Sequence, residues 1–479
     1  MSEAGTGQTA VTKRIAALRA RRNELVAASG EPLEARAERA LAAFERLWRE
    51  RLASGWSPPV AATDDVSPFP WAMVRVSLAG LVGVPLSPLP PPLRGKGELV
   101  PVGSSLDTGL TNQSGEADKP LVAGSPFPRR GGGRGERGPS LTALLLAGNT
   151  PLLAWPALWA ALRAGSAVFV KMSSRGETLW PRLFVNAVAE VDADMAALVH
   201  LDVWPGDDVR TGELARAADA VIAYGSDASV AAVRALTPPG TPFFGFGHAL
   251  SVGLVLKEAA PPAPNSWGAR NRTGGGVAPP SGTPRIGGGG GRLSEAAAGF
   301  AHDVLMYDQG GCLSPQAVFV EGNGKAARAF GEALARALPG AADALDVLPS
   351  GDVTRAARVR QARDLALFTP GARVLANPDD LRWAVVVFER EQAMPPPTGH
   401  GVVSVLPLAN VASGFGAALG VARGRLSSVG VAGTLRPDEE ATLWAEGVSR
   451  ICGPGEMQSP PLDWPNGGRD LLRELRGGW

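Results

Sequence analysis

Cysteine is scarce in this chain. Two residues in 479, Cys312 and Cys452, stand far apart and in no CxxC pair, so neither a disulfide framework nor a cysteine zinc site is indicated, and no metal is expected. Charge of one sign is missing as well. Lys plus Arg number 47 against 46 Asp plus Glu, which leaves no basic field to hold nucleic acid or an anionic membrane. Uninterrupted apolar runs are also lacking: the longest, "LTALLLAGNTPLLAWPALWAALRAGSAVFVK", is broken by Asn149, two prolines, Arg163 and Gly165. A buried strand, helix and strand explain it better than a membrane span. The N-terminal "MSEAGTGQTAVTKRIAALRARRNELVAASG" has no apolar core followed by a small-residue cleavage site, so no signal peptide is expected and the cytoplasm is the economical location. HExxH, P-loop lysine and GxSxG motifs are all absent, which removes support for metalloprotease, ATPase and serine hydrolase readings.

What is present is a globular composition, 45% hydrophobic, in a chain long enough for two or more sizeable cores. Residues 8–53 carry helical periodicity with many Arg and Glu, which predicts two exposed helices, either a cap or an oligomer arm. Residues 84–140 are rich in Pro, Gly and Ser and predict loops with one short strand, "ELVPV"; "RRGGGRGERG" within them reads as a linker. From 141 a regular alternation begins: "LTALLLAG" as a strand, a helix ending at Gly165, "SAVFVK" as a strand, a helix near 178–190, then "ALVHLDVW", a helix around 208–217, "DAVIAYG" and a helix from about 227. Such alternation predicts a parallel sheet with helices on both faces. Residues 259–292, Pro-rich and then Gly-rich, predict an inserted surface loop. A second α/β series follows through "AVFVEG", a helix at 324–337, "RWAVVVFE", "GVVSVLPL", a helix near 410–420 and "SSVGVAG".

Candidate chemistry centres on "LMYDQGGCLSPQAVFV", residues 305–320, where Cys312 follows two glycines in a polar turn able to bring backbone N–H groups near a ligand. A nucleophilic cysteine needs an activated thiolate and donors for the oxyanion it creates; the alternative is a small residue filling a tight turn. Cys452 in "SRICGPGEM" reads as structural. In "LLLAGNTP" the strand ends just before a helix, so Asn149 stands at the carboxyl edge of the sheet, either as an oxyanion donor or as a helix cap. Lys171 in "VFVKMSS" suits a ribose hydroxyl or phosphate, or is a solvated strand end. Gly225 and Ser226 in "AYGSDASV" mark a strand-to-helix junction where N–H groups could receive a pyrophosphate, unless Ser226 or Asp227 only caps the helix.

Three consecutive strand ends bearing Asn, Lys and Gly-Ser, followed by a lone cysteine, resemble the aldehyde dehydrogenase superfamily and, within it, the LuxC-type acyl-CoA reductases. "AGNTP" looks like the superfamily's strand-end asparagine motif, "VFVKMSSR" like its cofactor lysine motif, "AYGSDASV" like its Gly-Ser turn, and "YDQGGCLSPQ" is close to the acyl-CoA reductases' nucleophile motif. The similarity covers about 141–258 and 293–450, with a fainter tail in "GEMQSPPLDW". It implies an α/β, aldehyde dehydrogenase-like fold: an N-terminal helical segment at 1–65, a Rossmann-like cofactor domain at 66–245, a catalytic domain at 246–430 and a C-terminal segment at 431–479 that packs back on the cofactor domain. That cofactor domain is one without the usual GxGxxG. "GGGGG" at 287–291 follows a loop and is no such fingerprint.

By resemblance, Cys312 and Asn149 perform acyl chemistry, Lys171, Gly225 and Ser226 bind cofactor, and the reaction is NADPH-dependent reduction of a fatty acyl thioester, carried by CoA or a carrier protein, to the aldehyde. A homo-oligomer or a partner subunit is an open expectation. The departures from the family pattern matter too. The segment matching the water-activating glutamate of hydrolytic aldehyde dehydrogenases is "FFGFGHALSVGLV", which has no carboxylate. His248 in it is either an acid or base or a packed, hydrogen-bonded histidine. The second cofactor glutamate is not recognisable in "QAMPPPTGHGVVSVLPL". An aldehyde-oxidising dehydrogenase and a non-catalytic scaffold subunit are the rival readings.

Overall fold

The computed structural model describes residues 9–58, 67–84, 138–174, 176–257, 289–347 and 353–477. The expected strand "ELVPV", nearly all of the 84–140 stretch and most of the 259–292 insertion lie outside these residues.

Helices α1 (Ala10–Ala28), α2 (Leu33–Ala53) and α3 (Trp71–Leu81) precede the first sheet. That sheet is built from β1 (Leu141–Leu145), α4 (Ala154–Arg163), β2 (Ala167–Met172), α5 (Leu179–Val191), α6 (Ala193–Ala196), β3 (Val199–Val203), α7 (Val209–Ala217), β4 (Ala220–Tyr224), α8 (Asp227–Leu236) and β5 (Phe243–Phe246). Its strands run parallel in the order β3-β2-β1-β4-β5. β1 and β2 are buried along their whole length, because helices cover both faces of a parallel sheet. Gly165, at φ +74°, ends α4 where an L side chain would be strained, and turns the chain directly into β2.

The N-terminal helices are part of this layer and not merely exposed. α1 lies against β1, β2 and β3, and α2 against α4 and α5. Phe44 and Trp48 are fully buried. The Phe44 ring stands 5.2 Å from Trp155, Trp159 and Phe184, edge-on to the two tryptophans and tilted against Phe184, a cluster that joins α2 to α4 and α5. Polar ties reinforce it: Arg22 donates from Nε to the Gly165 carbonyl at 2.6 Å, and Arg36 grips Asp192 through two bonds of 2.6 and 2.7 Å. The Arg and Glu periodicity marked the wet face of these helices and concealed the dry one.

The second sheet contains β6 (Leu250–Val255), β7 (Pro315–Glu321), β8 (Ala372–Leu375), β9 (Ala384–Phe388), β10 (Val402–Leu408), β11 (Leu426–Ala432) and β12 (Arg450–Cys452), ordered β12-β11-β6-β7-β10-β9-β8. It is mixed, since the edge strand β8 pairs antiparallel with β9. Between the strands come α9 (Gly289–Leu305), α10 (Gly324–Ala344), α11 (Val353–Leu367), α12 (Val411–Ala418) and α13 (Pro437–Ala445), and α14 (Leu471–Leu475) closes the chain. The last glycines of the "GGGGG" run form the first turn of α9 rather than loop.

The expected limit at 430 does not coincide with the edge of this sheet. β12 and Cys452 still belong to it, whereas Leu471 and Leu475 pack in the core of the first sheet, where α14 meets α4.

Candidate active site

The carboxyl edge of the first sheet faces the amino edge of the second. Asn149 follows β1, Lys171 is the penultimate residue of β2, and Gly225 and Ser226 follow β4; Cys312 precedes β7, His248 precedes β6 and His400 precedes β10. The chain crosses from one sheet to the other through Gly247–Ala249, between β5 and β6.

Asn149 makes the contact that matters most. Its Nδ2 donates to the Gly310 carbonyl at 3.0 Å, two residues before Cys312. It does not cap α4, whose N-cap position is Leu153. Among the described residues the other hydrogen of the amide has no acceptor, so it is open to a ligand.

Cys312 keeps part of its surface open, yet the protein around it strips water from the sulfur and pushes the thiol up to about 11. The Cys312 backbone N–H and the Ser427 side chain work against burial and favour the thiolate, without overcoming it. No cation is among the causes, so the free protein holds a thiol at neutral pH rather than the activated thiolate its sequence setting suggests. Below it, the Ser251 hydroxyl donates to the Cys312 carbonyl at 2.6 Å and lies 2.9 Å from the Ser428 hydroxyl. These serines open β6 and β11 and seat the cysteine from beneath. Cys452 is fully enclosed in the second core, and burial pushes its thiol up to about 12.

The turn before Cys312 is left-handed at three successive non-glycine residues, Tyr307 (φ 53°), Asp308 (φ 53°) and Gln309 (φ 59°). Each such residue costs about 1–2 kcal/mol, so the surroundings must hold it. The Tyr307 hydroxyl donates to Ser77 Oγ (2.7 Å), and Ser77 donates to the Gln458 carbonyl (2.6 Å). Gln309 donates to the Pro315 carbonyl (2.8 Å), Gln316 to the Gln309 carbonyl (3.0 Å), and Gln458 to Ser314 Oγ (2.9 Å). Sequence reasoning missed Ser77, Ser251, Ser427 and His400, and took Gln458 only as part of a faint tail. Serines that support a turn from distant elements carry no local pattern.

Lys171 is only 7% exposed, not a solvated strand end, and burial lowers its pKa against the pull of Asp208. Among the described residues its ammonium has no hydrogen-bond acceptor, which fits a site for an oxygen-rich group. Ser226 caps α8, accepting from the Ser229 N–H at 3.2 Å. Gly225 precedes it, and its N–H donates to the Phe246 carbonyl at 3.2 Å. Tyr224 stacks on Phe246 at 4.7 Å; burial and then the nearby Cys312 charge hold its phenol proton firmly.

His248 is exposed, and its ring has no hydrogen bond among the described residues, so it is not the packed histidine considered above. Its backbone N–H donates to Asp227 Oδ1 at 2.8 Å, and the other oxygen of Asp227 lies 3.1 Å from Arg425. The structure gives no contact between His248 and Cys312.

The architecture is similar to that of solved aldehyde dehydrogenases. A benzaldehyde dehydrogenase of Corynebacterium glutamicum, NAD-dependent by description, superposes with a TM-score of 0.57 at 13% identity, covering 98% of this chain and 89% of that one. Aldehyde dehydrogenase C of Pseudomonas syringae, solved as a mutant with NAD+ and octanal, gives 0.53 at 15% identity over 92% and 80%. The fold is thus aldehyde dehydrogenase-like. Within that fold, the model of the acyl-CoA reductase (LuxC) family matches residues 124–476, and the chain belongs to this family of oxidoreductases. A long-chain acyl-protein thioester reductase of Aliivibrio fischeri is 26% identical over 183 residues, 37% of this chain and 31% of that protein, so the match spans about a third of the relative's length. No helix among the described residues is long and apolar enough to cross a membrane.

Proposed function

We propose that this chain reduces an acyl thioester to an aldehyde through an acyl-enzyme on Cys312, with NADPH as reductant. The observation that carries the reading is the 3.0 Å bond by which Asn149, from the first sheet, reaches the Cys312 turn of the second. The Cys312 sulfur attacks the thioester carbonyl and the oxygen becomes an oxyanion, while the thiol proton passes, by way of solvent, to the departing carrier sulfur. The second Asn149 hydrogen and the Cys312 backbone N–H are its donors. As the C–S bond to the carrier breaks, the carrier thiol leaves and the acyl group stays on Cys312.

Lys171 and the Gly225–Ser226 turn are the residues that would hold a nicotinamide cofactor, the buried ammonium toward ribose or phosphate oxygens and the start of α8 toward a pyrophosphate. When bound, that group supplies hydride. Ser427 holds the Cys312 sulfur when it is regenerated as a thiolate on release of aldehyde. A fatty chain, and CoA or a carrier protein as its thiol, agree with the name of the Aliivibrio fischeri relative.

The segment between β5 and β6 carries no carboxylate, and Asp227, which touches it, is engaged by His248 and Arg425. Without a base for water, the acyl-enzyme should persist until hydride or a thiol meets it, since a positioned base contributes roughly a hundredfold to ten-thousandfold. Product analysis in the oxidising direction tests this. Aldehyde with NADP should give thioester when CoA is present and little free acid without it; rapid acid formation without CoA would instead make the protein an aldehyde-oxidising dehydrogenase.

A further inference from the structure

His400 sits in the loop before β10 and is itself left-handed (φ 58°), between Gly399 (φ 73°) and Gly401 (φ 77°). This loop packs on the left-handed turn before Cys312, and two bonds join them. The His400 backbone N–H donates to the Asp308 carbonyl at 3.2 Å, and His400 Nδ1 lies 2.5 Å from Asp308 Oδ2. Arg355, buried on α11, places its Nε 3.0 Å from the other oxygen, Asp308 Oδ1. Asp308 is therefore hydrogen-bonded at its backbone carbonyl and at Oδ2, with the Arg355 charge beside Oδ1, in a conformation an aspartate does not adopt unaided at low cost.

The neighbours of Asp308 are fixed differently. Tyr307 is anchored through Ser77, and Gln309 through Pro315 and Gln316. Asp308 takes its anchors from the loop before β10, the strand next to β7, and, through Arg355, from helix α11. The direction of the turn sets where the Gly310 carbonyl and the Cys312 N–H point, and so where Asn149 and the oxyanion donors meet.

We propose that His400 is a positioning residue for Cys312. By clamping Asp308 it keeps the turn left-handed and the nucleophile aligned with Asn149, without itself touching substrate. The inference rests on the reading of Cys312 as nucleophile.

Two readouts test it: alkylation of Cys312 by iodoacetamide, followed by peptide mass spectrometry, and single-turnover acylation by an acyl-CoA. His400→Ala should slow both about tenfold or more, the loss expected when a bond of about 1.4 kcal/mol no longer favours the aligned turn. His400→Asn should recover most of the rate, because asparagine tolerates the left-handed region and its amide can still donate to Asp308.

The decisive comparison is made in an Asp308→Gly background, where glycine adopts positive φ without help. Whatever Asp308→Gly itself costs, adding His400→Ala to it should cost less than about twofold if the two act as one unit. An undiminished His400→Ala effect in that background, or none in the wild-type background, would overturn the proposal, and the first result would make His400 a group acting on substrate. Far-UV circular dichroism of each variant identifies loss of fold, in which case the His400→Asn rates decide: recovery supports the clamp and rates as low as those of His400→Ala refute it. A wild-type protein that alkylates at Cys312 but never acylates there would sink the proposed reaction while leaving the alignment test intact.

Discussion

The Asn149 amide and the Gly310 carbonyl, 161 residues apart in sequence, are joined by one 3.0 Å hydrogen bond that couples the end of β1 to the Cys312 turn before β7. The first prediction concerns this bond. Asn149→Ala should slow acylation of Cys312 by roughly a hundredfold to a thousandfold, the usual cost of one oxyanion donor, with little change in thioester binding. Rapid-quench acylation against acyl-CoA concentration separates the two effects. Equal losses in binding and rate would mean that the amide only shapes the pocket.

Burial of the Cys312 sulfur gives a pH prediction with a definite sign. With the thiol pushed up to about 11, alkylation of the free protein should rise about tenfold for each pH unit between 7 and 10, without a plateau. Ser427→Ala removes a bond that favours the thiolate and should lower the rate at fixed pH by about fivefold, the equivalent of roughly 1 kcal/mol. A plateau near neutral pH would reveal an activating group that the structure does not place beside the sulfur.

The N-terminal helices supply a stability prediction. Phe44 is fully buried among Trp155, Trp159 and Phe184, so Phe44→Ala should cost about 3–5 kcal/mol in urea unfolding. If α1 and α2 were a detachable cap, the variant would unfold at the wild-type midpoint.

The Arg36 and Asp192 pair adds a pH test of the same region. Burial raises the Asp192 carboxyl, but bonds from Arg36 and the Met195 N–H outweigh it and hold the group below its ordinary value. A depressed carboxyl contributes stability above its unfolded pKa and loses it as pH falls through the folded one. Arg36→Ala should therefore destabilise the protein at pH 7, and the gap from wild type should close as pH falls below the ordinary carboxylate range and through the depressed folded value. An unchanged gap in acid would show that Arg36 acts through packing instead.

The alternation of buried strands and helices from 141 to 236 was readable residue by residue, because parallel strands covered on both faces appear as short continuous apolar runs. The positions of Asn149, Lys171 and Gly225 at strand ends, and of Cys312 in the turn before β7, were legible for a related reason: the apolar pattern changes there. The antiparallel edge strand β8, half exposed and four residues long, left no such trace. α11 was hidden by its many arginines, two of which, Arg355 and Arg363, are buried. The contacts around the Cys312 turn were invisible for a deeper reason. Ser77 and Gln458 meet across 381 residues, and His400 and Asp308 across 92, so these contacts exist only once segments distant in sequence have packed together.

The most direct test of the central claim is the intact mass of the protein after mixing with a long-chain acyl-CoA in the absence of nicotinamide. One acyl group should add to the wild type and none to Cys312→Ala, and the adduct should discharge as aldehyde when NADPH is supplied. An adduct of equal yield on Cys312→Ala, or no adduct on a wild-type protein that still releases aldehyde, would contradict the account.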